Sequence, residues 1–132
     1  MGTVVDLVNE KEEIVTDLDN IVIVNHFDGV RGGATLDVAG FPHPVIKAGH
    51  VIIKDSSGVY KPMPLNEGGN AYDTLPEGAS YAGYLVASIS VKKPMAAIML
   101  RGTINPKATP FAMDSILAAV KTALPLIDYQ ED

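Results

Sequence analysis

The chain of 132 residues has no cysteine and no tryptophan, and only 6% of it is aromatic. Without thiols it can form neither disulfides nor thiolate metal sites, and it suits any redox compartment. With so few rings it lacks the aromatic platform expected of a carbohydrate-binding surface. Basic residues are also scarce: 10 Lys and Arg stand against 16 Asp and Glu, a formal charge of -6. A general nucleic-acid binder presents a basic stripe to phosphates, so no nucleic-acid partner is expected. No apolar run approaches the roughly 20 residues that span a bilayer, so no membrane partner is expected either. The start, Met1 to Val5, has no basic segment, and Asp6 interrupts it. The expectation is a soluble chain without a secretory leader and without the myristoylation pattern.

Catalytic signatures are missing as well. Ser56, Ser57, Ser80, Ser88, Ser90 and Ser115 all lie outside any Gly-x-Ser-x-Gly elbow. Gly32-Gly33 is followed by neither a Gly-Lys-Ser/Thr nor a helix opening, so it is no phosphate loop. The histidines His26, His43 and His50 do not share a helical i, i+4 pair, and His43 sits between Pro42 and Pro44. They read as scattered core or surface residues rather than metal ligands. The carboxylate pairs Glu12-Glu13 and Glu131-Asp132 read as solvated. No catalytic residue, cofactor or metal is expected, and the chain is read as a non-enzyme.

What is present is an apolar fraction of 47%, with 12 glycines and 9 prolines. That composition suits one β-rich domain of short elements joined by many turns. Residues 1–19 read as an N-terminal arm in which Val4, Val5, Leu7 and Val8 alternate with acidic groups. A turn of helix near Glu10 to Val15 and an ordinary first strand are both open there. Residues 20–132 form the body. Asn20 to Phe27 is dense in β-branched residues and predicts a strand ended by Asp28-Gly29. A short strand follows over Ala34 to Val38. Phe41-Pro42-His43-Pro44 cannot be helical, because each proline restricts its predecessor. Val51 to Lys54 and Val59 to Pro64 predict a hairpin around Asp55-Ser56-Ser57-Gly58. Leu65 to Ser80 is a long loop, with Tyr72 and Leu75 expected to tack it to the surface.

The apolar stretch from Ala82 to Pro106 organises the body. Tyr81 to Ile89 and Met95 to Ile104 predict two strands joined at Ser90 to Pro94, the second apolar on both faces and therefore central. Arg101 ends it beside Gly102. It reads either as a partner in an ion pair, within or between subunits, or as a strand-end arginine reaching water. One helix is predicted at about 110–124, capped by Thr109, opened by Pro110 and stopped by Pro125. Phe111, Met113, Ile116, Leu117, Val120 and Leu124 give it an apolar face.

Three segments carry a family resemblance: Ala48-Gly49-His50-Val51-Ile52 with Tyr60-Lys61-Pro62, then Tyr81-Ala82-Gly83-Tyr84-Leu85-Val86, then Met99-Leu100-Arg101-Gly102-Thr103-Ile104-Asn105. In this order they resemble the head decoration proteins of tailed bacteriophages, typified by the phage lambda decoration protein, over roughly Ala48 to Ile104. The helix and the hydrophobic arm depart from that pattern and are compatible with a relative at the base of a head fibre. The resemblance implies a mainly β (α+β) fold, a small β-barrel or β-tulip-like body of short antiparallel strands with one C-terminal helix. It also implies a homotrimer on the outer surface of an expanded capsid, cementing the major capsid protein of a virion assembled in the bacterial host cytoplasm. The contact residues expected on that reading are Val4, Val5, Leu7, Val8, Phe41, Tyr72, Leu75 and Arg101. A competing expectation is a small-ligand or carbohydrate-binding β-barrel, which needs a concave pocket with convergent polar groups.

Overall fold

Asp19 opens the described part of the computed structural model, which covers residues 19–130. The arm expected over residues 1–19, with Val4, Val5, Leu7 and Val8, lies outside the described residues except for Asp19. That residue closes the chain onto the body, its carboxylate accepting from both the backbone N–H and the hydroxyl of Ser88 at 3.0 and 2.8 Å. The same Ser88 hydroxyl oxygen accepts the Ala48 N–H at 3.0 Å. The first helical turn, α1 (Asp19–Val22), buries Val22. Strand β1 is Ile23–Gly29. The strand expected over Asn20 to Phe27 therefore starts late and runs through Asp28-Gly29. Gly29 is held there by close approach to a neighbour, since a Cβ on it would stand 2.6 Å from the Ile98 carbonyl oxygen.

Short strands follow: β2 (Ala34–Thr35), β3 (Val45–Ile46), β4 (Val51–Lys54), β5 (Tyr60–Pro62), β6 (Ser80–Leu85), β7 (Ile89–Ser90), β8 (Met95–Ala96) and β9 (Ile98–Ile104). Helix α2 is Leu117–Ala123, and β10 is Ile127–Tyr129. The main sheet has six strands, with β1, β9, β6, β4 and β5 adjacent in that order and β10 also on β9. Its pairings are antiparallel apart from β10 on β9, which is parallel. Two small ribbons, β2 with β8 and β3 with β7, lie apart from it. Among the described residues the terminal strands β1 and β5 do not pair with each other, so the chain is mainly β with one short C-terminal helix and an open main sheet.

Burial on both faces explains the continuous apolar runs of the central strands. Val51 and Ile53 of β4, Tyr84 of β6 and Met99 of β9 belong to one core with Met113, Ile116 and Val120 of the helical segment. Their neighbours Ile52, Leu85 and Ile98 join a second core with Leu36, Ile46 and Ala96 beneath the ribbons. The sheet is a middle layer between two cores. Gly83 lets β6 approach β9, because a Cβ there would meet the Met99 carbonyl oxygen.

The predicted hairpin is present: Lys54, Ile53 and Ile52 oppose Tyr60, Lys61 and Pro62. Asp55 builds its turn by accepting the N–H groups of Ser57 and Val59 at 2.9 and 3.0 Å and the Ser57 hydroxyl at 2.7 Å. Those bonds hold its carboxyl at a pKa of about 2, the Ser57 hydroxyl first among them.

Further expectations need correction. The segment Tyr81 to Ile89 is not one strand, because β6 ends at Leu85 and Ile89 belongs to β7, which pairs with β3. The segment Met95 to Ile104 is two strands, and Leu100 and Arg101 within it are exposed. The helix is confined to Leu117–Ala123, because Thr109 does not cap it. Its hydroxyl donates to the carbonyls of Pro106 and Phe111 at 3.1 and 2.9 Å, which closes a local turn instead. Phe111 is drawn into a ring cluster with Tyr72 and His50, and Ile116 at the N-cap position has no side-chain cap bond. The expected tail after Pro125 is a strand, β10, in register with Gly102, Thr103 and Ile104. Its Tyr129 hydroxyl is hydrogen-bonded to that of Tyr84 at 2.8 Å.

Candidate functional site

Two regions combine functional side chains with surface. The first is on β1, β9 and β10. The pairing of β1 with β9 breaks register between His26 and Asp28, and such a bulge re-aims the side chain within it. Phe27, in that break, is 67% exposed. Leu126, just ahead of β10, is 62% exposed, and Leu100 on β9 is also exposed. Phe27, Arg101, Gly102, Thr103, Leu126 and Asp128 line a hollow of about 430 Å³. Arg101 is exposed and has no ion-pair partner among the described residues, so the intramolecular ion pair expected as one option is not formed there. Outward of this patch, β1 has no strand on its other edge among the described residues. Large apolar side chains, a guanidinium and a strand edge left without partners among the described residues together suit contact with another protein.

The second region is a cleft of about 640 Å³ bordered by Phe41, His43, Pro44, Lys47, His50 and Phe111 among others. Gly49, at φ +87°, adopts the left-handed conformation open to glycine. It turns the chain between Ala48 and His50 so that β4 can enter the core. A side chain on it would collide with Val22. His50 is fully buried. Phe41, Tyr72 and Phe111 approach it edge-on with ring centroids at 5.4, 5.2 and 5.7 Å. Its Nε2 lies 3.0 Å from the Met63 carbonyl oxygen. A carbonyl only accepts, so Nε2 carries the proton and Nδ1 offers a lone pair. That Nδ1 is buried without a hydrogen-bond partner among the described residues. Burial, aided by nearby His43 and opposed by the Met63 bond, lowers the His50 pKa to about 4. His43 stacks on Phe111 at 6.0 Å and donates through Nε2 to the Gly69 carbonyl at 2.6 Å.

These placements sort the expected contact residues. Phe41 is half-buried at the cleft, and Arg101 belongs to the outer patch. Tyr72 is an interior residue rather than a surface anchor. It is 6% exposed, its ring lies on His50 and Phe111, and its hydroxyl accepts the Val51 N–H at 3.1 Å. Leu75 is half-buried and packs against the same core. Phe27 and Leu126 were not legible as contact residues in the sequence. Phe27 follows the polar pair Asn25-His26 and its exposure comes from a break in register, while Leu126 follows a proline in a segment without periodicity. No group of three or more His, Asp or Glu side chains placed to hold a metal occurs among the described residues, and none of their helices is long and apolar enough to cross a membrane. Comparison with protein-family models, with curated proteins and with solved structures finds no significant match.

Proposed function

We propose that the chain is a structural virion protein that binds the outer surface of an expanded tailed-phage head and cements its coat subunits. The observation that carries this reading is the outer patch, where exposed Phe27 and Leu126 line a hollow with Arg101, which has no ion-pair partner among the described residues, beside a β1 edge that no described strand covers. Exposed apolar surface of this kind is costly in a free chain and marks an assembly contact. An edge strand accepts a strand from a partner through main-chain hydrogen bonds. The family resemblance across Ala48 to Ile104 supplies the type of assembly: a homotrimer, with the major capsid protein as its second partner. On this reading the two-core body corresponds to the small β-barrel or β-tulip form of decoration proteins. The role is non-enzymatic and needs no cofactor.

The test is the stability of expanded, undecorated heads from the encoding phage, heated with and without the purified chain. A cementing protein raises the temperature at which the heads lose their DNA, in proportion to occupancy up to saturation. Heads that fail at the same temperature with a saturating excess of the chain would sink this role.

The alternative, a small-ligand or carbohydrate-binding module, has one observation in its favour. The cleft beside His50 is concave and brings Lys47, Asn70, His43 and His50 to one place.

A further inference from the structure

His50 Nδ1 is the one buried side-chain nitrogen or oxygen without a partner among the described residues. A buried acceptor left unmade costs about 1–3 kcal/mol, so such a group calls for an explanation. The ring borders the 640 Å³ cleft, a volume typical of small-molecule sites. Phe41 and Phe111 flank it on the cleft side of the fold and are both half-buried. The cleft is bordered further by Pro44 and Pro110, whose apolar ring faces can pack against a planar occupant. Among the described residues its only charged lining residue is Lys47, which is exposed, and no carboxylate lines it.

We propose that this cleft binds a planar aromatic acid bearing a hydroxyl group. The hydroxyl donates to His50 Nδ1, the ring lies among Phe41, Phe111 and the two prolines, and the carboxylate meets Lys47. Each part of the ligand answers a property of the lining. The neutral imidazole, with its proton fixed on Nε2 by Met63, can only accept at Nδ1, so the ligand must bring a donor. The described lining offers a cation no carboxylate, and Lys47 favours an anion. Because Nδ1 is shielded from solvent, binding turns Phe41 or Phe111 aside to expose it. The proposal rests on the small-ligand reading of this cleft and is independent of the capsid role.

The experiment uses the full chain with 15N-labelled histidine, titrated with 4-hydroxybenzoate and, separately, with 4-methoxybenzoate. The expected result is saturable binding of the hydroxyl probe with movement of the His50 ring nitrogen resonances. The methoxy probe, which keeps the ring and charge but cannot donate, should bind about tenfold more weakly. Lys47→Ala, a change at an exposed position, should weaken the hydroxyl probe roughly three- to tenfold. Equal affinity for the two probes, or a preference without movement of the His50 resonances, would overturn the proposed chemistry while leaving a small-ligand cleft. Binding of neither probe would overturn both.

Discussion

His50 is buried as a neutral imidazole, with a pKa near 4 in the folded chain against an ordinary value of 6.5. The sign of the consequence follows from proton counting. Between those two pH values the unfolded chain takes up a proton that the folded chain refuses, so stability falls as pH falls. At about 1.4 kcal/mol per pH unit, the loss from pH 7 to pH 4.5 is about 2–3 kcal/mol from this residue alone. Asp55 contributes in a lower window. Its depressed pKa of about 2 stabilises the fold above the ordinary aspartate range, and that stabilisation disappears as pH drops towards 2. Denaturant unfolding at pH 7 and pH 4.5 isolates the His50 share when repeated on His50→Phe, which should show a distinctly smaller pH dependence. Equal dependence in the two proteins would mean that His50 is protonated in the fold. A second residue-scale expectation concerns Tyr129. Burial holds the pKa of Tyr84 well above the ordinary tyrosine value, and Tyr129 is the partner of its hydroxyl. Tyr129→Phe should cost about 1–2 kcal/mol of unfolding free energy, measured by denaturant titration, by leaving that hydroxyl alone. Neither pairing was legible in the chain. The sequence shows three histidines and five tyrosines, but which of them meet is decided by strands far apart along it.

At the scale of elements, local chemistry carried some assignments and tertiary contacts overruled others. The hairpin of β4 and β5 was readable because Asp55, Ser57 and Gly58 encode their own turn, independent of the rest of the fold. The centrality of β9 was readable from its apolar run, since both faces of Ile98 and Met99 meet cores. The helix is shorter than its apolar periodicity predicts. Its periodic positions begin at Phe111, but that ring is worth more against His50 and Tyr72 than in a helical turn, so the regular helix waits until Leu117. Hydrogen exchange separates the two possibilities. Amides of Val120 and Leu124, which bond to Ile116 and Val120 carbonyls, should be protected, with Ala112 and Asp114 exchanging quickly. Uniform protection from Phe111 onward would restore the longer helix. β10 was invisible in sequence because three residues, Ile127–Tyr129, have no period of their own and become a strand only against Gly102 to Ile104. Close strand approach also has a direct test. Gly83→Ala places a methyl group against the Met99 carbonyl between β6 and β9. The expected loss is about 1–3 kcal/mol by thermal or denaturant unfolding, and an unchanged midpoint would show that the strands can separate at no cost.

For the whole molecule, the two cores and the outer patch divide the work. The cores fix the body without any help from Phe27, Leu126 or Arg101, whose side chains stand in solvent. Substituting them as Phe27→Ser, Arg101→Ala and Leu126→Ser should therefore leave stability within about 1 kcal/mol of the parent, while removing contacts that an assembly would bury. Of this surface only Arg101 was legible in the chain, as an arginine at a strand end beside a glycine. The most direct measurement of the cementing role is a saturation co-sedimentation of the parent chain and this triple variant with expanded, undecorated heads. The parent should bind saturably, in a whole-number ratio to the three-fold positions of the head, and the variant should bind at least about tenfold more weakly at unchanged melting temperature. Failure of the parent to sediment with expanded heads, or equal binding by the variant, would contradict a capsid contact made through Phe27, Arg101 and Leu126.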